Sequence, residues 1–156
     1  MEINVLFDNG LEDCLDADWL KAIAGQALTA QGAESSTEMG LVIASLNRVQ
    51  ELNKAYLRKD EPTDVLAFGL LPEAAEEQPF AIPPDGIKHL GEVIIAYHQA
   101  VKQAREHHHS VKREVAILIV HGILHLLGYD HDAPEPTRQM AAREAAMLDR
   151  VEERLE

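Results

Sequence analysis

The eight residues from Leu90 to Tyr97 are apolar almost without interruption, broken only by Gly91 and Glu92. A short run of this kind, without alternation, is a strand buried on both faces, and it is predicted to lie in the centre of a sheet. A central strand needs neighbours, and the sequence supplies them. Residues 2 to 7 alternate and are rich in strand formers, Thr37 to Ala44 read as a second strand, and Thr63 to Leu70 as a third. Helices fall between them. Asp16 or Asp18 can cap a helix running to about Ala30 that carries Leu20, Ile23, Ala24, Ala27 and Leu28 on one face. Ser45 is placed to cap a second helix bearing Leu46, Val49, Leu52, Asn53 and Tyr56, which ends before Pro62 because proline disfavours helix in the residue ahead of it.

Beyond the third strand, residues 71 to 87 hold four prolines and four acids with little periodicity and read as a long exposed loop. After the central strand, helices are predicted from about His98 to His107 and from about Lys112 to Leu127. A last helix starts near Pro136, with Ala141, Ala145, Leu148, Val151 and Leu155 on one face. The chain of 156 residues shows neither repeats nor linkers, so residues 1 to 156 are read as one α+β domain. Aromatic residues make up only 4% of it, so the core must be built from Ala, Val, Ile and Leu.

The first eight residues lack the basic segment and long apolar stretch of a signal peptide, and no run approaches the roughly 20 residues that span a bilayer. Cys14 is the one cysteine, which excludes an internal disulfide and a thiolate metal cluster and fits a reducing compartment. The expectation is a cytoplasmic protein that is not embedded in a membrane. A formal charge of −13 argues against a generic polyanion binder. The distribution of charge is uneven, however: eight of the 14 Lys and Arg fall in two stretches, Arg48–Lys54–Arg58–Lys59 and Lys102–Arg105–Lys112–Arg113. A fold that joined them would give an acidic protein one basic patch.

The chemistry is concentrated between residues 121 and 131, His-Gly-Ile-Leu-His-Leu-Leu-Gly-Tyr-Asp-His. His121 and His125 are four apart on a predicted helix, so their imidazoles project from one face at adjacent turns. Gly128 can end the helix in the left-handed conformation, and the returning chain brings His131 towards the same point. Three neutral nitrogens leave a fourth tetrahedral position open for water, the arrangement of a catalytic zinc site with one ion per chain. Asp130 and Asp132 are read as residues of the turn. The spacing matches the metzincin zinc helix, His-Glu-x-x-His-x-x-Gly-x-x-His, with Gly122 where those peptidases carry their general-base Glu, so peptidase chemistry by that route is not expected. His107, His108 and His109 form a run that could also bind metal, but they are read as an exposed helix end, favoured there by the helix dipole, and are left out of the site.

These eleven residues also resemble the signature of the bacterial YbeY family of rRNA-maturation endoribonucleases. Two more segments carry the likeness: residues 52 to 68, Leu-Asn-Lys-Ala-Tyr-Leu-Arg-Lys-Asp-Glu-Pro-Thr-Asp-Val-Leu-Ala-Phe, and residues 91 to 95, Gly-Glu-Val-Ile-Ile, where the family usually has Gly-Asp-Ile. The resemblance implies a mixed sheet of about four strands and a metal, zinc by expectation, on His121, His125 and His131. It also implies endonucleolytic cleavage of RNA in maturing the 16S rRNA 3′ end and in ribosome quality control. The partners are then an rRNA precursor and the ribosome or its proteins, not DNA. The family typically reads Tyr-Arg-Gly-Lys-Asp where this chain has Tyr56-Leu57-Arg58-Lys59-Asp60, and often serine where Ala67 stands. Arg58 is therefore the residue expected to neutralise charge building on the phosphate, with Lys54, Lys59, Lys112 and Arg113 holding flanking phosphates. The residues alone stop at a metal hydrolase. Two other readings stay open: hydrolysis of a non-RNA substrate, and a ribosome-assembly factor whose metal is structural.

Overall fold

In the computed structural model, which describes residues 1–33, 35–57, 64–69, 88–127, 145–146 and 148, the apolar run becomes strand β4 (Lys88–Ala96). Strands β1 (Glu2–Phe7), β2 (Thr37–Ala44) and β3 (Val65–Gly69) join it in the order β1-β2-β4-β3. β4 is thus flanked on both sides, as its composition requires. Val93, Ile95 and Ala96 are fully buried, and so is nearly all of β2. β1, β2 and β4 are mutually parallel and β3 is antiparallel to β4, which gives the mixed sheet that the resemblance implies. The predicted strand ends one residue too late: Tyr97 opens helix α3 (Tyr97–Glu106) instead, with Ala96 as its extended N-cap.

Side-chain alternation divides the core between the two faces of the sheet. Met39, Leu41, Ile43, Val93 and Ile95 face one layer, built from helix α1 (Ala17–Ala30) and helix α4 (Val111–Leu126). Val42, Ala44, Ile94, Ala96 and Leu66 face the other, where Val49 of helix α2 (Leu46–Leu57) packs. The helix starts follow from local chemistry. Asp16 Oδ1 accepts from the Asp18 amide at 2.9 Å, Ser45 Oγ from Arg48 at 3.2 Å, and Ser110 Oγ from Arg113 at 3.1 Å. Each satisfies an amide that the helix itself leaves unpaired.

β1 forms one border of the sheet and pairs, among the described residues, with β2 alone. Its Ile3 is buried, while Leu6 is 62% exposed. Of the predicted terminal helix, only residues 145, 146 and 148 are described; they are helical, and Leu148 packs against the main core while Ala145 is exposed. The loop predicted over 71–87 lies outside the described residues. Among the described residues, no helix is long and apolar enough to cross a membrane.

Two glycines mark close approaches, one between strands of the sheet and one between the sheet and α4. Gly91 has φ +130°, and a Cβ there would stand 2.0 Å from the Phe68 carbonyl oxygen on β3. Gly122 lies on the buried side of α4, where a Cβ would fall 2.6 Å from Cγ1 and 2.9 Å from Cγ2 of Val93. Valine on a strand has no flexible arm to swing aside, so the backbone of α4 rests directly on β4 only because residue 122 has no side chain. Gly122→Ala should destabilise the protein by about 1–3 kcal/mol through overpacking, more than the ~1 kcal/mol that alanine's helix propensity returns. In a Val93→Ala background the same substitution should stabilise, and chemical denaturation of the four proteins of this cycle measures the reversal.

Candidate metal centre

Helix α4 is apolar along most of its length. Val115, Ala116, Ile119, Val120, Ile123 and Leu124 are fully buried, which fixes its rotation on the sheet. Gly122 faces Val93, and His121 and His125 fall beside that line of contact, half-buried. Their Nε2 atoms stand 3.2 Å apart, and the ring centroids are 4.8 Å apart with planes inclined at 62°. Two nitrogens bound to one tetrahedral zinc at 2.0–2.1 Å would be roughly 3.3 Å from each other. The pair therefore already has the spacing that a shared ion requires, and neutral imidazole is a good ligand for zinc and its neighbours.

The same packing explains why no carboxylate stands at position 122. A side chain there would enter the α4–β4 contact rather than reach the imidazoles. Ala67, where the resembled family often has serine, pairs with Val93 across the β3–β4 ladder and packs on the layer that contains α4. His131, Arg58 and Lys59 lie outside the described residues.

Lys54 is in the last turn of α2, exposed, on the opposite face of the sheet from α4. Lys112 and Arg113 are in the first turn of α4, so Lys112 is roughly 13 Å along the helix axis from His121. Lys112 Nζ lies 5.6 Å from the centroid of the Trp19 ring, a cation–π contact that ties α4 to α1. The described residues thus bring His121 and His125 together and hold Lys54 apart from Lys112 and Arg113.

A second cluster includes a residue the sequence reading missed, Glu114. The run from His107 to His109 is read as an exposed helix end, and His107 and His108 are exposed, but His107 and His109 also have a buried partner. His107 Nδ1 and His109 Nε2 converge on Oε1 of Glu114, at 3.0 and 2.6 Å, and Gln103 Nε2 donates to Oε2 at 3.0 Å. Glu114 is in the first turn of α4 and only 3% exposed. Burial pushes its pKa up, but the hydrogen bonds from His107, His109 and Gln103, with the attraction of His107, outweigh it and hold the carboxyl below its usual range. The signal available in sequence was an acid on the apolar face of a helix just beyond a run of histidines. A buried carboxylate needs partners.

The molecule is thus, as a class, an α+β protein whose longest described helix presents two imidazoles at metal-sharing distance beside a mixed four-stranded sheet. It belongs to the endoribonuclease YbeY family, whose family model, described as Endoribonuclease YbeY, matches residues 10–152. Endoribonuclease YbeY of Dehalococcoides mccartyi is 44% identical over 160 residues, covering all of both chains. That of Moorella thermoacetica is 43% identical over 129 residues, 83% of this chain and 82% of its own. That of Chloroflexus aurantiacus is 35% identical over 147 residues, 94% and 92% respectively. The solution structure of TM1509 from Thermotoga maritima has a similar fold, with a TM-score of 0.52 at 22% identity over 97% of this chain and 92% of that one. The resemblance drawn from residues 52–68, 91–95 and 121–131 is borne out, and with it the fold class.

Replacing Glu114 by Gln leaves an amide that cannot accept both imidazoles on a charged oxygen. In chelator-treated buffer this should lower the unfolding free energy by about 1.5–3 kcal/mol, the usual worth of hydrogen bonds to a buried charge. A urea titration reads it directly, and an unchanged midpoint would mean that the corner contributes nothing to stability.

Proposed function

We propose that this chain is a zinc-dependent endoribonuclease acting on single-stranded rRNA, in 16S rRNA 3′-end maturation and ribosome quality control in the cytoplasm. The observation that carries the reading is the 3.2 Å separation of the His121 and His125 Nε2 atoms, in a chain whose relatives are named endoribonucleases. His131 is the third ligand in this reading. Bound there, zinc would supply a Lewis acid and a water of lowered pKa beside the phosphodiester.

The chain's own residues divide the remaining work. His121 and His125 keep one another's orientation because α4 is locked to β4, so the site needs little reorganisation on binding. Arg58 stabilises the negative charge that develops on the phosphate. Lys54, Lys59, Lys112 and Arg113 bind the RNA backbone on either side. Lys54 and the Lys112–Arg113 pair sit on different layers, so an RNA that engages all of them must wrap past the edge of the sheet. Few aromatic side chains are available to stack on bases, so recognition rests on backbone shape and on partners such as the ribosome or its proteins.

A second reading follows from Leu57, which stands where the resembled family has arginine. If Arg58 does not take over that role, the protein acts as a metal-binding ribosome-assembly factor without cleavage. The deciding experiment compares wild type with His125→Ala on a structured rRNA substrate, with bound metal quantified for each. Wild type should retain about one equivalent more metal than the variant, as a single site requires. It should also cut the RNA, while the variant falls to background. RNA left intact by metal-loaded wild type, with ribosomes present, would sink the nuclease reading and leave the assembly factor.

A further inference from the structure

The corner between α3 and α4 is built so that two imidazoles meet one carboxylate oxygen. α3 closes with the His107 amide donating to Gln103 O at 2.9 Å, and His108 then takes a left-handed conformation, φ 57°. That single residue reverses the chain, and the His109 amide donates back to Ala104 O at 3.1 Å. The rings of His107 and His109 are left edge to face, 5.5 Å between centroids, both turned to Glu114 Oε1. Ser110 starts α4 immediately, which is why Glu114 arrives one turn later beneath them.

We propose that His107, His109 and Glu114 form a second divalent transition-metal site, separate from the imidazole pair further along α4. Their ligand atoms all lie within 4.8 Å of one another. Ligands on a tetrahedral zinc-sized ion stand roughly 3.3 Å apart, so the 2.6 and 3.0 Å contacts to Oε1 would widen by about 0.7 and 0.3 Å, while the widest separation in the group, at most 4.8 Å, would close by rotation of the exposed His107 side chain. The carboxylate is buried, while the His107 side chain is 57% exposed, so an ion has an entrance and water can complete the coordination. Two nitrogens and one carboxylate oxygen favour zinc, nickel or cobalt(II) over magnesium and calcium, which prefer all-oxygen sites.

Gln103 supports the arrangement from outside. Its Nε2 donates to Glu114 Oε2 at 3.0 Å and approaches Asp64 Oδ2 at 3.3 Å, orienting the carboxylate and linking the corner to the residue ahead of β3. Glu114 and His121 are seven residues apart on α4, roughly 10 Å along its axis, whereas two ions acting jointly on one phosphate stand about 3.5–4 Å apart. The corner ion is therefore a clamp on the end of α3 and the start of α4, not a partner in the chemistry.

The test uses full-length His121→Ala/His125→Ala protein, which removes the other imidazole pair and makes the result independent of the proposed nuclease activity. Cobalt(II) titration should give the visible absorption of a four-coordinate nitrogen–oxygen site, saturating at about one ion per chain, with a higher thermal midpoint. Adding His107→Ala and His109→Ala should abolish both signals with an unchanged far-ultraviolet circular dichroism spectrum. Should that variant misfold, His107→Gln, altering an exposed side chain, must weaken cobalt binding by about tenfold or more. A folded His121→Ala/His125→Ala protein that shows neither absorption nor stabilisation at millimolar cobalt has a hydrogen-bonded corner only, and the proposal fails. Absorption that persists undiminished without His107 and His109 overturns it equally.

Discussion

The contact between Gly122 and Val93 is the constraint from which the candidate site follows. With no side chain at 122, the backbone of α4 approaches β4 closely enough that a Cβ would stand 2.6 Å from a valine methyl. An α-helix turns about 100° per residue, so once position 122 faces the sheet, residue 121 lies about 100° round from it and residue 125 about 60° round on the same side. Both imidazoles are therefore placed at the margin of the interface, half-buried, beside each other. A bulkier residue at 122 would lift the helix off β4 and with it both imidazoles. The glycine that separates this motif from that of the peptidases is a packing requirement as well as the absence of a base.

Much of the fold was legible because its signals are local and strong. The nearly continuous apolar run of β4 located the sheet centre, and Asp16, one of two candidates, and Ser45 cap the helices that follow them. The boundary at Tyr97 was misread because an aromatic residue at the end of an apolar run fits strand or helix equally well, and only the three-dimensional turn at Ala96 decides. In the candidate site, the i, i+4 spacing of His121 and His125 translated directly into a 3.2 Å separation, since helical geometry alone converts one into the other. The corner around Glu114 was not legible in the same way. It depends on His108 entering the left-handed region, a backbone choice uncommon for a residue with a side chain, and on which of three successive histidines turns inward.

The basic residues show the limit of reading charge along a chain. Lys112 and Arg113 follow Lys102 and Arg105 closely in sequence, yet Lys112 lies against Trp19 of α1, while Lys54 sits on a helix across the sheet. Nearness in sequence gives nearness in space only within one helix or across one tight turn. Where a patch must be assembled from several elements, topology decides, and in this chain it separates the described lysines into different layers.

The border strand β1 has a further consequence. Among the described residues, its outer backbone groups and the 62% exposed Leu6 offer a template on which another chain could add a strand. Against that stands a net charge of −13, with Glu2 at the start of the strand, although Asp8 beyond its end is paired with Arg48 at 3.2 Å. Two copies approaching edge to edge would bring like charges together at short range. The acidity that argues against polyanion binding would thus also oppose edge-to-edge pairing at the border that β1 forms among the described residues, an opposition that weakens as salt shortens the reach of the repulsion below about 10 Å.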